Sequence, residues 1–125
     1  MSLISIEGLT RRYPKTNTSV FEGLECTIEP HDFCFIVGRS GVGKTTLVKF
    51  LIRQLQPPKK MIFHAQEDIA RFTRDEVQTY RRRIGVIYQD FKLIEWKTVA
   101  ENVAYPLEIV GVEKTLVDQK VDYVL

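Results

Sequence analysis

The stretch Phe33-Cys34-Phe35-Ile36-Val37-Gly38-Arg39-Ser40-Gly41-Val42-Gly43-Lys44-Thr45 decides how the chain is read. Its first five residues are apolar throughout, the pattern of a strand buried on both faces. The next eight fit Gly-x-x-x-x-Gly-Lys-Ser/Thr at every fixed position. Leu47, Val48, Phe50, Leu51 and Leu55 then recur at helical spacing. Strand, glycine-rich loop and helix together make a phosphate-binding loop rather than a plain glycine turn. Small residues at 38, 41 and 43 let successive backbone N–H groups converge on an anion. The helix start adds its own donors and its partial positive charge. Lys44 brings a full charge for the β- and γ-phosphates, and Thr45 a hydroxyl for Mg²⁺. The ligand expected is a nucleoside triphosphate, ATP with Mg²⁺.

Outward from the loop, Leu3, Ile4, Ile6 and Leu9 suggest a first strand that ends before Arg11-Arg12, and 15–19 a turn. Leu24, Cys26 and Ile28 alternate with polar residues as a half-buried strand does, and Pro30-His31-Asp32 turns the chain. Downstream, Pro57-Pro58 should end the loop's helix, and Met61-Ile62-Phe63 reads as a short strand. Thr73 and Glu76 have capping-box spacing, which predicts a helix over 74–83; the cations of Arg81-Arg82-Arg83 suit its C-terminal turn. Ile84-Gly85-Val86-Ile87-Tyr88 is a second candidate buried strand. Thr98 and Glu101 form another box. The helix they open holds Pro106, where a kink or early break is expected, and Gly111 closes it. A last helix begins near Glu113 or Lys114.

Composition narrows the classes. The chain has 125 residues, 44% hydrophobic and 27% charged, with a net charge of +2. That charge is too mild to argue for nucleic acid as a partner. The longest apolar runs fall far short of the roughly 20 residues of a membrane span, so a soluble, cytoplasmic chain is expected, with any membrane link passing through a partner. Cys26 and Cys34 show no metal-site spacing. Cys34 reads as a small core residue, and a disulfide between the two stays open. The chain ends at Leu125 inside a helical pattern without a stop signal, as a chain cut short would.

Along its whole length the sequence resembles the nucleotide-binding domain of ABC ATPases. Three groups of residues carry the likeness: Tyr13 after the opening strand, the loop Gly38–Thr45 followed by Thr46 and Leu47, and Ile84–Asp90 leading to Gln89. The resemblance implies a P-loop NTPase of the α/β class: a RecA-like core with an N-terminal antiparallel β subdomain and the start of a helical subdomain, divided near 88/89. It implies that Tyr13 stacks on adenine and that Gly38, Arg39, Ser40, Gly41, Val42, Gly43, Lys44 and Thr45 wrap the phosphates. It further implies that Thr46 reaches the α-phosphate, and that Gln89 contacts Mg²⁺ or the attacking water, so that Lys44 and Gln89 carry the catalytic roles within this chain.

Within the family, 81–93, 97–104 and 107–111 are most similar to the cell-division, FtsE-type branch; lipoprotein-release and macrolide-export ATPases have similar segments. Pro57-Pro58-Lys59-Lys60, Ala65 and Gln66 depart from the family pattern in a peripheral turn. The likeness implies an integral membrane partner of the FtsX type docking near Phe91, Leu93, Ile94, Trp96 and Tyr105. It also implies a head-to-tail homodimer of the full-length protein and a place at the inner face of the plasma membrane. The family's hydrolytic Asp-Glu pair and signature sequence lie after the Gln89 region and do not occur in 90–125, so this chain is expected to bind ATP without hydrolysing it. A soluble ABC ATPase and a small-molecule P-loop kinase are the competing readings.

Overall fold

A computed structural model describes residues 2–12 and 19–125. Tyr13 and most of the expected turn at 15–19 lie outside the described residues. The chain falls into two compact units, Met1–Gly85 and Val86–Leu125.

The first unit is built on a four-stranded antiparallel sheet of order β2-β1-β3-β4. Strand β1 spans Ile4–Arg12 and β2 Ser19–Ile28, both longer than the apolar pattern alone suggested. They pair from Ile4 opposite Ile28 to Arg12 opposite Ser19, with the register shifting between Ile6 and Leu9. Gly8, at φ 57°, lies in that shift. Ile6 and Leu9 are three apart, so strict alternation would put them on opposite faces. The irregularity re-phases the strand, and both are buried. On its other edge β1 pairs with β3 (Ile62–His64), which pairs with β4 (Glu67–Asp68).

Helix α1 (Lys44–Leu51) presses Leu47 and Phe50 onto this sheet, where they join Ile6, Leu9, Ile62, Ile69 and Tyr80 in one core. It stops well before Pro57-Pro58, because Ile52 caps it and Arg53 then turns left-handed at φ 55°. Helix α2 (Arg74–Arg81) opens on the expected capping box of Thr73 and Glu76. Its side chains finish α1: Tyr80 Oη donates to Leu51 O at 2.6 Å, and Arg81 donates to Ile52 O and Arg53 O at 2.9 and 2.7 Å. Carbonyls at a helix C-terminus lack partners within the helix, and here the next helix supplies them.

Two expectations fail. Neither Phe33–Val37 nor Ile84–Tyr88 is a strand, and much of each lies open: Val37 is 87% exposed and Ile87 98%. A doubly buried strand needs hydrogen-bonding neighbours and a covering layer on each face, and among the described residues no strand pairs with either run. Cys34, expected in a core, is exposed for the same reason.

In the second unit, α3 (Val99–Ile109) begins at the Thr98–Glu101 capping box. The expected break at Pro106 does not occur. Proline there removes a single bond late in the helix, and the helix runs on to Ile109. Gly111, at φ 77°, then turns the chain, with Gly111 N donating to Glu108 O and Val112 N to Leu107 O. Helix α4 (Lys114–Val124) buries Val117 and Val121.

Candidate phosphate-binding loop

The loop's geometry follows from its glycines. Gly41 and Gly43 have φ of 78° and 108°, which side chains other than hydrogen resist. Gly43 is also hemmed in: a Cβ there would lie 2.4 Å from Val20 Cγ1 and 3.1 Å from Phe21 Cζ. Thus β2 backs the loop and forbids a side chain at the residue that starts α1. At Gly38 a Cβ would meet Val42 Cγ1 at 2.9 Å, so the Val42 side chain packs over the start of the loop.

Gly43 is the N-cap of α1. No side chain caps that end and no acid sits in its first turn, while Leu47 N closes the first helical bond onto Gly43 O at 2.9 Å. The helix start therefore keeps its positive end turned to the loop. Lys44 folds back over the loop, and its Nζ donates to Gly38 O at 2.7 Å and to Arg39 O at 2.8 Å. The ammonium is thus held at the loop's opening by weak neutral acceptors, which an anion would outcompete. Arg39, Ser40, Gly41 and Val42 are exposed, as is Thr45 in the first turn of α1; Thr46 is half-buried. The exposed hydroxyl of Thr45 is the hard oxygen donor that Mg²⁺ prefers.

Beside the loop opens a cavity of about 490 Å³, whose lining includes Val20, Phe21, Cys34, Val42 and Lys44. Val20 and Phe21 escaped the sequence reading. No motif marks them, and only the fold brings β2 under Gly43.

In the second unit Gln89 sits exposed in a turn. Phe91 and Lys92 follow in left-handed conformation, at φ 55° and 54°. Asp90 and Lys92 pair, which lowers the Asp90 carboxyl below its ordinary pKa and raises the Lys92 ammonium above its own. Phe91, Leu93 and Trp96 are exposed at 76%, 67% and 87%; Tyr105 lies partly open beneath the ammonium of Lys97. The segment before α3 is held by Asn102, whose side chain donates to Ile94 O, Lys97 O and Thr98 O and accepts from Ile94 N. Among the described residues no helix is long and apolar enough to cross a membrane.

Residues 21–124 match the family model described as ABC transporter. The chain belongs to this family. Relatives include the cell division ATP-binding protein FtsE of Bacillus subtilis, 37% identical over 98% of this chain and 54% of that protein. The methionine import ATP-binding protein MetN 3 of Oceanobacillus iheyensis is 33% identical over 98% of this chain and 37% of its own length. The chain spans about half the length of the FtsE relatives it matches. Among solved structures, the dimeric bacterial ABC transporter cassette MJ0796 superposes with a TM-score of 0.74 at 27% identity, covering 85% of this chain and 47% of that one. The sheet and helices of the first unit are accordingly those of the N-terminal part of an ABC ATPase domain.

Proposed function

We propose that the loop Gly38–Thr45 binds the β- and γ-phosphates of ATP, and that the chain is the phosphate-binding part of an ATP-binding subunit of the FtsE type. The observation that carries this reading is the seating of Gly43 on Val20 and Phe21 at the uncapped start of α1, with the Lys44 ammonium lying across the loop. Backbone N–H groups and the ammonium would take the phosphates, Thr46 the α-phosphate and Thr45 the Mg²⁺ ion, while Gln89 would contact Mg²⁺ or the attacking water. Tyr13 would stack on adenine. Those roles for Tyr13 and Gln89 rest on family likeness. On this reading the boundary near 88/89 separates the nucleotide part from the start of the helical subdomain.

The identity to FtsE supports a role in cell division, with an FtsX-like membrane subunit docking on the exposed Phe91, Leu93, Trp96 and Tyr105 and holding the protein at the inner face of the membrane. The similarity to MetN supports a second reading, the ATP-binding subunit of an importer. Co-purification of the protein with an FtsX-type or an importer-type membrane subunit would separate the two, with Trp96→Ala weakening the true pair. The dimeric MJ0796 cassette supports a homodimer of a full-length protein. Since 90–125 hold no apolar run ending in Asp-Glu, the 125-residue chain would bind ATP without turning it over.

Calorimetry with ATP and Mg²⁺ tests the loop. Lys44→Ala removes a charge-assisted contact and should weaken binding about ten- to a hundredfold. Unchanged affinity would refute the site, and phosphate release abolished by the same substitution would refute the claim of no turnover.

A further inference from the structure

The two cysteines are eight residues apart in sequence, and the fold brings both to one cavity. Cys26 lies on β2; the turn after that strand is closed by Asp32 N donating to Glu29 O and by Glu29 N donating to the Asp32 carboxylate. The turn sends the chain back past the end of β2, so that Cys26 and Cys34 line the same cavity beside the loop. Their environments differ. Cys34 is exposed, whereas Cys26 is half-buried, and burial, followed by the neighbouring Cys34, raises its thiol pKa.

We propose that Cys26 and Cys34 form a thiol pair that a low-molecular-weight disulfide oxidises to an intramolecular bond, tethering β2 to the approach of the phosphate-binding loop. In the first step the exposed Cys34 thiolate attacks the small disulfide, and one small thiol leaves carrying a proton. In the second, Cys26 attacks the sulfur of Cys34 in the mixed disulfide, and the second small thiol leaves with the proton of Cys26. Two protein thiols are oxidised and one small disulfide is reduced. The division of labour follows from exposure, since the accessible thiol meets the reagent and the sheltered one resolves it. Cys34 stands four residues before Gly38, so the bond fixes the segment from which the loop departs.

Both cysteines fall in a single tryptic peptide, 16–39. After treatment of the folded chain with oxidised glutathione, wild-type peptide should lose two hydrogen atoms, retain no glutathione and resist alkylation. The Cys34→Ser chain, altered at an exposed position, should never lose them. Glutathione held on both cysteines, or peptides joined between chains, would overturn the proposal. A consequence rests on the phosphate-loop reading: the oxidised chain should bind ATP with Mg²⁺ several-fold more weakly than the reduced one, because its loop can rearrange less. Equal affinity in the two states would refute that coupling, while absence of binding in both would count against the loop reading and leave the peptide result standing.

Discussion

Strand β1 and the run Phe33–Val37 both carry large apolar side chains, and these end in opposite conditions. In β1, Ile6 and Leu9 are 3% and 0% exposed, fastened between β2 and β3 and covered by α1. In the run, Phe33 and Val37 are 86% and 87% exposed and no strand pairs with them. Apolar character alone therefore does not bury a segment. A strand buries its side chains when backbone partners exist for its N–H and C=O groups and when a helix closes its face. β1 finds antiparallel partners on both edges, β2 close in sequence as a hairpin-type neighbour and β3 from beyond α1. The continuous apolar run calls for parallel neighbours, which the described sheet lacks.

The largest test of that contrast is the cover itself. Phe50 is 1% exposed at the centre of the core. Phe50→Ala should cost about 3–5 kcal/mol of the first unit's stability, measured by urea unfolding. A loss below about 1 kcal/mol would mean that the sheet does not depend on α1.

Next comes the junction of core and loop. Gly43→Ala places a methyl 2.4 Å from Val20 Cγ1 at a φ of 108°. The strain and the clash should together destabilise by about 1–3 kcal/mol and disorder the start of α1. Pairing it with Val20→Ala would restore part of the loss if the clash is the cause; no rescue would leave backbone strain as the whole effect.

How far the sequence carried the reading depends on whether neighbours are local. The capping boxes at Thr73–Glu76 and Thr98–Glu101 were legible because each is closed within four residues. The phosphate loop was legible because Gly41, Gly43 and Lys44 act through their own backbone and side chain. Its support on Val20 and Phe21 was not, since that contact depends on a sheet whose register no local pattern states. Phe33–Val37 was misread as buried because a run's composition reports what would suit it, and not whether strands are present to receive it. The exposed Cys34 beside Cys26 is the chemical consequence of that difference.

A smaller effect probes the seam between α1 and α2. Tyr80 is buried, and its burial pushes the phenol pKa from 10.0 to about 12, slightly opposed by Arg53. Below pH 10 the phenol is protonated in folded and unfolded chains alike, and its bond to Leu51 O contributes fully. Between about pH 10 and 12 the unfolded chain ionises first, so stability falls through that window. Tyr80→Phe should cost about 1 kcal/mol at neutral pH and flatten that part of the alkaline fall. An equal fall in both chains would show that Tyr80 does not carry it.

The smallest change is expected in the open run, and there the contrast with β1 is sharpest. Phe35 is 77% exposed, and its ring meets Phe33 edge to face at 5.0 Å. Such a pair outside a core contributes little to folding, because both rings stay largely in water. Phe35→Ser should therefore shift unfolding by no more than about 0.5 kcal/mol, a small fraction of the effect at Phe50. Exposed apolar runs with strand-forming composition promote association between chains, so the same substitution should reduce concentration-dependent light scattering. A loss of stability near that of Phe50→Ala would mean that the run is packed in solution, and the distinction drawn between it and β1 would fall.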